Sequence, residues 1–155
     1  MTASRRRTGL LVAVAGGVLL VDQLTKQWAL SALADGHTIS IVGPVRFLLT
    51  YNTAGAFGLG GAAVPFLAVI ALAVVVVMAA TKETARDPRL ATAVGLVLGG
   101  AVGNLVDRMF RGRGMLRGAV VDFIDFRVWP VFNLADAAIT IGCLLLLWAG
   151  WRTKE

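Results

Sequence analysis

Long uncharged apolar runs are the feature that most constrains the fold of this chain. Four such runs are present, and the chain is 57% hydrophobic and 15% charged, against about 25% charged residues in a usual soluble domain. A helix needs about 20 predominantly apolar residues to cross a bilayer. The pattern therefore predicts an all-α membrane protein in which one domain, residues 1–155, has four transmembrane helices over roughly residues 9–30, 62–81, 90–107 and 133–151.

The N-terminal run has a second interpretation, a cleavable signal peptide. Arg5-Arg6-Arg7 precedes it, and Ala32-Leu33-Ala34 resembles a cleavage site. However, Asp22 and Lys26 interrupt the path to that site, which also lies too far beyond the apolar core. A first spanning helix is the better interpretation. The triple arginine then favours a cytoplasmic N-terminus, while the basic residues divide eight to seven between the two sides.

Two long connections between the predicted spans fall on the same side of the membrane, because successive helices alternate in direction. In the first connection, residues 38–42 and 45–51 are rich in β-branched and aromatic residues around Gly43-Pro44, which predicts a small β-hairpin. The second connection covers residues 107–135 and opens with an Arg/Gly/Met stretch that could lie on lipid headgroups. With both termini cytoplasmic, both connections are extracytoplasmic.

Two aspartates, Asp122 and Asp136, lie at the edges of apolar segments, where an ionised carboxylate is costly and indicates function. Two carboxylates that approach each other share a proton, so one is an acid while the other is a base. This predicts an aspartyl protease site at a membrane surface. Asn133 can hydrogen-bond near Asp136. Asp125 is also an acid in this connection, and the residues alone leave open whether it or Asp122 meets Asp136.

Other catalytic classes find little support in the sequence. The single histidine, His37, excludes an H-E-x-x-H zinc site and makes a Ser-His arrangement implausible. Ser31 is five residues from Lys26 and off its helix face, so a Ser-Lys dyad is poorly supported. The single cysteine, Cys143, lies in an apolar run. We therefore expect neither a metal nor a cofactor.

Further polar residues share helix faces near the predicted helix ends. Asp22 and Lys26 are four residues apart and could form a structural ion pair. Asn104, Asp107 and Arg108 share another face. There, Asp107 with Arg108 could fix the second connection, and Arg108 could hold a substrate carbonyl or a lipid phosphate. The structural and the substrate-binding roles both stay open.

Glycines recur at every fourth position of the third run. This spacing places them on one face of a helix, where small residues let a neighbouring helix approach closely. The contact is therefore predicted at Gly95, Gly99 and Gly103.

Motifs along most of the chain occur in the order seen in a known family. They are Asp22-Gln23-x-x-Lys26, Asn52 with Gly55-Ala56-Phe57, Gly99-Gly100-Ala101-x-Gly103-Asn104-x-x-Asp107-Arg108, Val120-Val121-Asp122-Phe123 and Phe132-Asn133-x-Ala135-Asp136. Together they resemble bacterial lipoprotein signal peptidase, also called signal peptidase II. Each motif alone is modest, whereas their succession over residues 22–136 is specific.

The resemblance implies an intramembrane aspartic endopeptidase of the bacterial cytoplasmic (inner) membrane. Such an enzyme removes signal peptides from prolipoproteins by cutting before a cysteine that carries diacylglycerol, and its hairpin is an extracytoplasmic β-cradle. We expect prolipoproteins and membrane phospholipid as partners, no nucleic acid, and a monomer. The implied catalytic pair is Asp122 and Asp136, the implied substrate site is Asn52, Gly55, Asn104, Arg108 and Asn133, and the implied structural motif is Asp22, Lys26 and Asp107.

A proton-coupled transporter or a membrane scaffold is the alternative function class. A proton relay requires polar residues at mid-membrane, and the middles of the second, third and fourth runs have none. A scaffold leaves the acids at the membrane edge unexplained.

Overall fold

The computed structural model describes residues 3–53, 72–73, 75–81, 84, 87–112 and 118–152, apart from the side chains at 3–6, 150 and 152. Within these residues, the long helices are α1 (Ala3–Ala32), α2 (Pro88–Phe110) and α3 (Leu134–Arg152). The strands are β1 (Ile39–Val42), β2 (Val45–Asn52) and β3 (Val120–Asp125), and they form one antiparallel sheet in the order β1-β2-β3. A 3-10 turn at Ala34–Gly36 links α1 to the sheet.

The helices α1, α2 and α3 cover three of the four apolar runs of the sequence. Residues 7–32 of α1 and all 23 residues of α2 are long and apolar enough to cross a bilayer. The 19 residues of α3 extend about 28 Å at a rise of about 1.5 Å per residue, close to the ~30 Å hydrocarbon thickness. Most of the predicted second span lies outside the described residues, although residues 75–79 are helical.

The glycine face of α2 packs directly on α1, as the spacing predicts. A Cβ atom at Gly99 would lie 2.6 Å from the backbone oxygen of Ala15, and one at Gly103 would lie 2.5 Å from Oδ2 of Asp22. Both distances are shorter than real Cβ contacts. Gly95 makes a similar approach to Leu11. The small residues thus bring the two backbones together and place Asp22 against the end of α2.

The opposite side of α2 receives α3 in the same way. A Cβ atom at Gly100 would lie 2.5 Å from the backbone oxygen of Ala135, which is in the first turn of α3. Because Gly100 and Gly103 lie near the same end of α2, this helix holds α1 and the start of α3 close to each other.

The predicted hairpin is present as β1 and β2, and a third strand extends it. From the sequence, residues 107–135 form only a connection, but the structure places β3 inside it. The segment pairs with β2 so that Asp122 is opposite Thr50 and Val120 is opposite Asn52. A short apolar run is ambiguous by periodicity alone, and pairing with a distant strand decides its structure. This pairing carries Asp122 beside the end of β2.

Aromatic side chains attach the sheet to α1. The rings of Trp28, Phe47 and Phe123 pack edge to face with centroids 5.4–6.1 Å apart. Buried Ala29 on α1 and Leu33, the residue after the end of α1, belong to the same cluster. Since Phe123 follows Asp122 in β3, the cluster fixes that strand against the helix that carries Asp22 and Lys26.

Candidate active site

Asp122 lies on β3 and is buried, with 1% of its surface exposed. Its Oδ1 accepts a hydrogen bond of 2.6 Å from Nδ2 of Asn133, and the side chain of Asn52 also hydrogen-bonds to it. Burial, and after it the negative charge of Asp136, raises the pKa of this carboxyl to about 6. Asp122 can therefore hold a proton at a pH where an exposed aspartate has lost it.

Asp136 lies in the first turn of α3 and takes part in a reciprocal cap with Asn133. The backbone N–H of Asp136 donates to Oδ1 of Asn133 at 3.0 Å, and the backbone N–H of Asn133 donates to Oδ2 of Asp136 at 3.2 Å. This is the capping-box arrangement with Asn and Asp in place of Ser/Thr and Glu. The other carboxylate oxygen, Oδ1, accepts from Nδ2 of Asn104 at 2.8 Å.

Asn133 joins the two carboxylates. Its side-chain amide donates to Asp122, while its backbone N–H donates to Asp136. Although 14 residues separate the two aspartates in the sequence, β3 and the start of α3 meet because the backbones of Ile124 and Phe132 pair in an isolated antiparallel bridge. The structure therefore brings Asp122, Asp136 and Asn133 together.

Asp22, Lys26 and Asp107 form a buried ionic cluster close to the two aspartates. Lys26 and Asp22 form the ion pair that their spacing suggests, with Nζ and Oδ2 2.9 Å apart, and Lys26 is also 2.9 Å from Oδ2 of Asp107. The third partner of the ammonium is Oδ1 of Asn104, again at 2.9 Å. Asn104 therefore connects the cluster to Asp136.

Comparison with known proteins identifies the family. The family profile for signal peptidase (SPase) II matches residues 14–152. The chain belongs to the signal peptidase II family. A lipoprotein signal peptidase of Rhodococcus jostii is 41% identical over 93% of this chain and 73% of its own length. One from Streptomyces coelicolor is 42% identical over 97% of this chain and 74% of its own length.

Two solved structures of bacterial membrane enzymes have a similar fold. A bacterial membrane enzyme determined by the in meso method at 2.3 Å resolution is 26% identical, with a TM-score of 0.81 over 95% of this chain and 90% of that one. A second, at 1.9 Å resolution, is 28% identical with a TM-score of 0.76 over 91% of this chain and 92% of that one.

Signal peptidase II membership makes this chain a membrane hydrolase of the aspartic peptidase class that removes signal peptides from lipoprotein precursors. The transporter and scaffold alternatives are therefore set aside.

Asp107, the second carboxylate partner of Lys26, ties the ionic cluster to the rest of the signal peptidase II fold. Its Oδ2 accepts from the backbone N–H of Val121, the residue before Asp122, at 3.2 Å, and its Oδ1 lies 2.7 Å from Nε of Arg111. It thus fixes the second connection, as its position in the sequence suggests. In the sequence, Arg111 belongs to the Arg/Gly/Met stretch that could lie on lipid headgroups, and its i, i+4 spacing from Asp107 is the signal for this ion pair.

Arg108 is buried at the end of α2, with 6% of its surface exposed. It faces the negative charges of Asp122, Asp107 and Asp136, yet within the described part of the chain it forms no ion pair. Its guanidinium therefore carries positive charge next to Asp122 and Asp136 without an ion pair to either of them. Such a group can bind a carbonyl or phosphate oxygen.

Asp125 occupies a different environment from Asp122. Its Oδ2 lies 2.6 Å from Nε of Arg46, and its Oδ1 accepts from the backbone N–H of Arg127 at 2.7 Å. The Arg127 hydrogen bond and then Arg46 hold the pKa of this carboxyl below its usual value. Asp125 joins β2 to β3.

Two residues of the predicted substrate site remain, Asn52 and Gly55. Asn52 ends β2 and hydrogen-bonds Asp122 through its side chain. Gly55 lies outside the described residues. Gln23, a residue of the first motif, reaches Asp22, the Gly103 carbonyl and Asp107 from Nε2 at 3.1–3.2 Å.

Proposed function

We propose that Asp122 and Asp136 are the catalytic pair of this peptidase. The observation that carries the proposal is their convergence on Asn133 from two elements. Asp122 is buried and Asp136 is partly buried, and neither has a cation at ion-pair distance among the described residues. Asp22 and Asp107 also approach each other, but both are engaged by Lys26. Two carboxylates without a cation between them can share a proton.

The pair can hydrolyse a peptide bond without another catalyst. One carboxylate, ionised, takes a proton from water, and the water oxygen attacks the scissile carbonyl carbon. The other gives its proton to the carbonyl oxygen, so a neutral tetrahedral diol forms. The first then donates its proton to the departing amide nitrogen. As the C–N bond breaks, a diol hydroxyl returns a proton to the second carboxylate.

The proposed substrate is a prolipoprotein whose cysteine already carries diacylglycerol, cut on the N-terminal side of that cysteine. Asp136 lies in the first turn of an apolar helix, so the pair is at the depth where lipid headgroups meet hydrocarbon. Two acyl chains would hold the substrate cysteine at the same depth. Surrounding phospholipid is the second proposed partner, and the proposed working unit is a monomer.

Polar groups around the pair are proposed to hold the substrate. Asn52 and Asn133 touch Asp122, and Asn104 touches Asp136. Arg108 is proposed to bind a backbone carbonyl or a lipid phosphate, because its charge is buried without an ion pair in the described residues. Gly55 is proposed to let the substrate backbone approach.

The proposed topology has four spans, cytoplasmic termini and an extracytoplasmic active site in the bacterial inner membrane. It is supported by the alternation of the spans and by Arg5-Arg6-Arg7 before the first. Cysteines introduced at Asp35 and Thr84, in a background where Cys143 is replaced by serine, report the two sides. In intact cells an impermeant maleimide should label position 35 only. Labelling at 84 alone would invert the topology.

Purified protein incubated with lipidated and unlipidated forms of one prolipoprotein tests the proposed function. Lipidated precursor should be cleaved before its cysteine, and the unlipidated form should be turned over far more slowly. Wild type should be compared with Asp122→Asn and Asp136→Asn, both of which should be inactive. Equal turnover of both precursors would refute the lipid requirement, and an active Asn variant would refute the catalytic pair.

A further inference from the structure

We infer that Lys26 is a positioning residue for the catalytic pair: by orienting the side-chain amide of Asn104, it makes Asp136 the carboxylate that activates water and leaves the shared proton on Asp122. This inference rests on the proposed function of the pair and extends it, since it assigns the acid and the base. Lys26 itself has no direct contact with either member.

The contacts of Lys26 account for every proton of its ammonium group. An ammonium has three N–H donors and cannot accept a hydrogen bond. Two of the three face the carboxylates of Asp22 and Asp107, and the third faces the amide oxygen of Asn104, all at 2.9 Å. The side chain is completely buried, so water cannot substitute for a lost partner. Asn104 is therefore as much a ligand of Lys26 as the two acids are.

The donor-only character of Lys26 determines which way the Asn104 amide points. The amide has one accepting end, Oδ1, and one donating end, Nδ2. Because Lys26 can only donate, Oδ1 must face it, and Nδ2 is left to face Oδ1 of Asp136 at 2.8 Å. The amide of Asn133 supports the same orientation, since its Nδ2 also lies 3.2 Å from Oδ1 of Asn104.

Asp136 consequently accepts N–H donors at both of its oxygens. Oδ1 accepts from Asn104, and Oδ2 accepts from the backbone of Asn133. Neither donor can take up a proton from Asp136, and the position in the first turn of a helix also favours a negative charge. These contacts suit an ionised carboxylate. Asp122 also accepts amide donors, from Asn133 and Asn52, but it lies on β3 rather than in the first turn of a helix. We therefore assign the pair's proton to Asp122, which faces the charges of Asp136, Arg108 and Lys26.

An epoxide distinguishes the two carboxylates chemically. The probe is 1,2-epoxy-3-(4-nitrophenoxy)propane, used in excess on the purified enzyme in detergent. The ionised carboxylate oxygen attacks an epoxide carbon and forms an ester as the C–O bond of the ring breaks. The protonated carboxyl supplies the proton to the released oxygen. Peptide mass spectrometry should place the ester on Asp136 in the wild-type enzyme. An ester on Asp122 would overturn the assignment.

Lys26→Gln and Arg111→Gln form a matched pair for the role of Lys26. Both remove a cation that contacts Asp107, but only Lys26 contacts Asn104. Glutamine can accept as well as donate, so Asn104 is no longer held in one orientation. Lys26→Gln should lower kcat about 100-fold or more, which is the scale of lost acid–base assistance, and should change KM little. The epoxide should then no longer prefer Asp136. Arg111→Gln should keep that preference.

Two further variants keep the inference testable if Lys26→Gln does not fold. Lys26→Arg retains a donor-only cation and should keep the ester on Asp136. Asn104→Asp retains an acceptor for Lys26 but has no donor for Asp136, and should lose the ester there. Unchanged labelling in Asn104→Asp would assign Lys26 a purely structural role. Retained cleavage in Asp122→Asn would instead refute the catalytic pair itself, so the two failures are distinguishable.

Discussion

The backbone N–H of Ala135, at the start of α3, donates a hydrogen bond of 3.0 Å to Oδ1 of Asp22, which lies on α1. One carboxylate therefore caps the helix that carries Asp136 and, through its other oxygen, pairs with Lys26. Its spacing from Lys26 predicts only the second role. Asp22 supports the active site because it links the N-terminus of α3 to the ionic cluster.

Asp22→Asn should destabilise the protein more than an ordinary surface change. Asparagine can still accept from Ala135, but the charge opposite buried Lys26 is lost. Breaking a buried ion pair costs up to about 3–5 kcal/mol. Thermal unfolding in detergent should show the loss. Asp35→Asn, which changes an exposed acid, is the control, and an equal melting temperature for both variants would contradict the structural role.

Asp122→Asn and Asp136→Asn should each abolish turnover without unfolding the enzyme. Asparagine preserves the shape of the side chain but cannot exchange the shared proton. The loss of acid–base assistance alone is worth about 10²–10⁴-fold. Conversion of lipidated prolipoprotein measures the effect, and thermal stability controls for misfolding. Normal activity in either variant would relocate the catalytic pair.

Asp125→Asn should retain most activity but weaken the sheet. The side chain joins Arg46 of β2 to β3 and accepts from the backbone of Arg127, so the loss is structural rather than catalytic. A double-mutant cycle with Arg46→Gln measures the coupling. The melting temperature of the double variant should be close to that of the single Asp125→Asn variant. An inactive Asp125→Asn enzyme of normal stability would contradict the assignment.

Activity and stability should both decrease as pH rises through about 6. The pKa of Asp122 is raised from 3.8 to about 6, by burial and then by the charge of Asp136. Between these values the folded state keeps a proton that the unfolded state has lost, so the stability gained at low pH disappears as pH rises. Asp122→Asn should remove this decrease in stability. The pH profiles of kcat/KM and of thermal unfolding measure the two effects, and flat profiles between pH 5 and 7 would contradict the prediction.

Gly103→Ala should disturb the active site, whereas Gly16→Ala should be tolerated. A Cβ atom at Gly103 would lie 2.5 Å from Oδ2 of Asp22, the atom that pairs with Lys26. In the described part of the chain, nothing lies within 4 Å of a Cβ atom at Gly16. Alanine in a helix interior is favoured over glycine by roughly 0.5–1 kcal/mol, so Gly16→Ala should be neutral or stabilising. Equal melting temperatures would show that α1 can move away from α2.

Local patterns in the sequence determined the helices, the hairpin and the contacts between residues a few positions apart in the chain. Apolar run length predicts α1, α2 and α3, and β-branched segments around Gly43-Pro44 predict the hairpin. The four-residue period brings Asp22 to Lys26 and lines up the glycines of α2. Each of these depends on distances of a few residues along one element, where the helix or strand repeat dictates which side chains are adjacent.

Only the tertiary structure decided which acid of the second connection lies beside Asp136. Asp122 and Asp125 lie three residues apart in a strand, and side chains at odd spacing point to opposite faces. No local pattern says which face of β3 meets α3. Pairing with β2, the bridge between Ile124 and Phe132, and the packing of Phe123 on α1 set that orientation. The Lys26–Asn104–Asp136 chain likewise joins three helices, so it exists only once their long-range packing is complete.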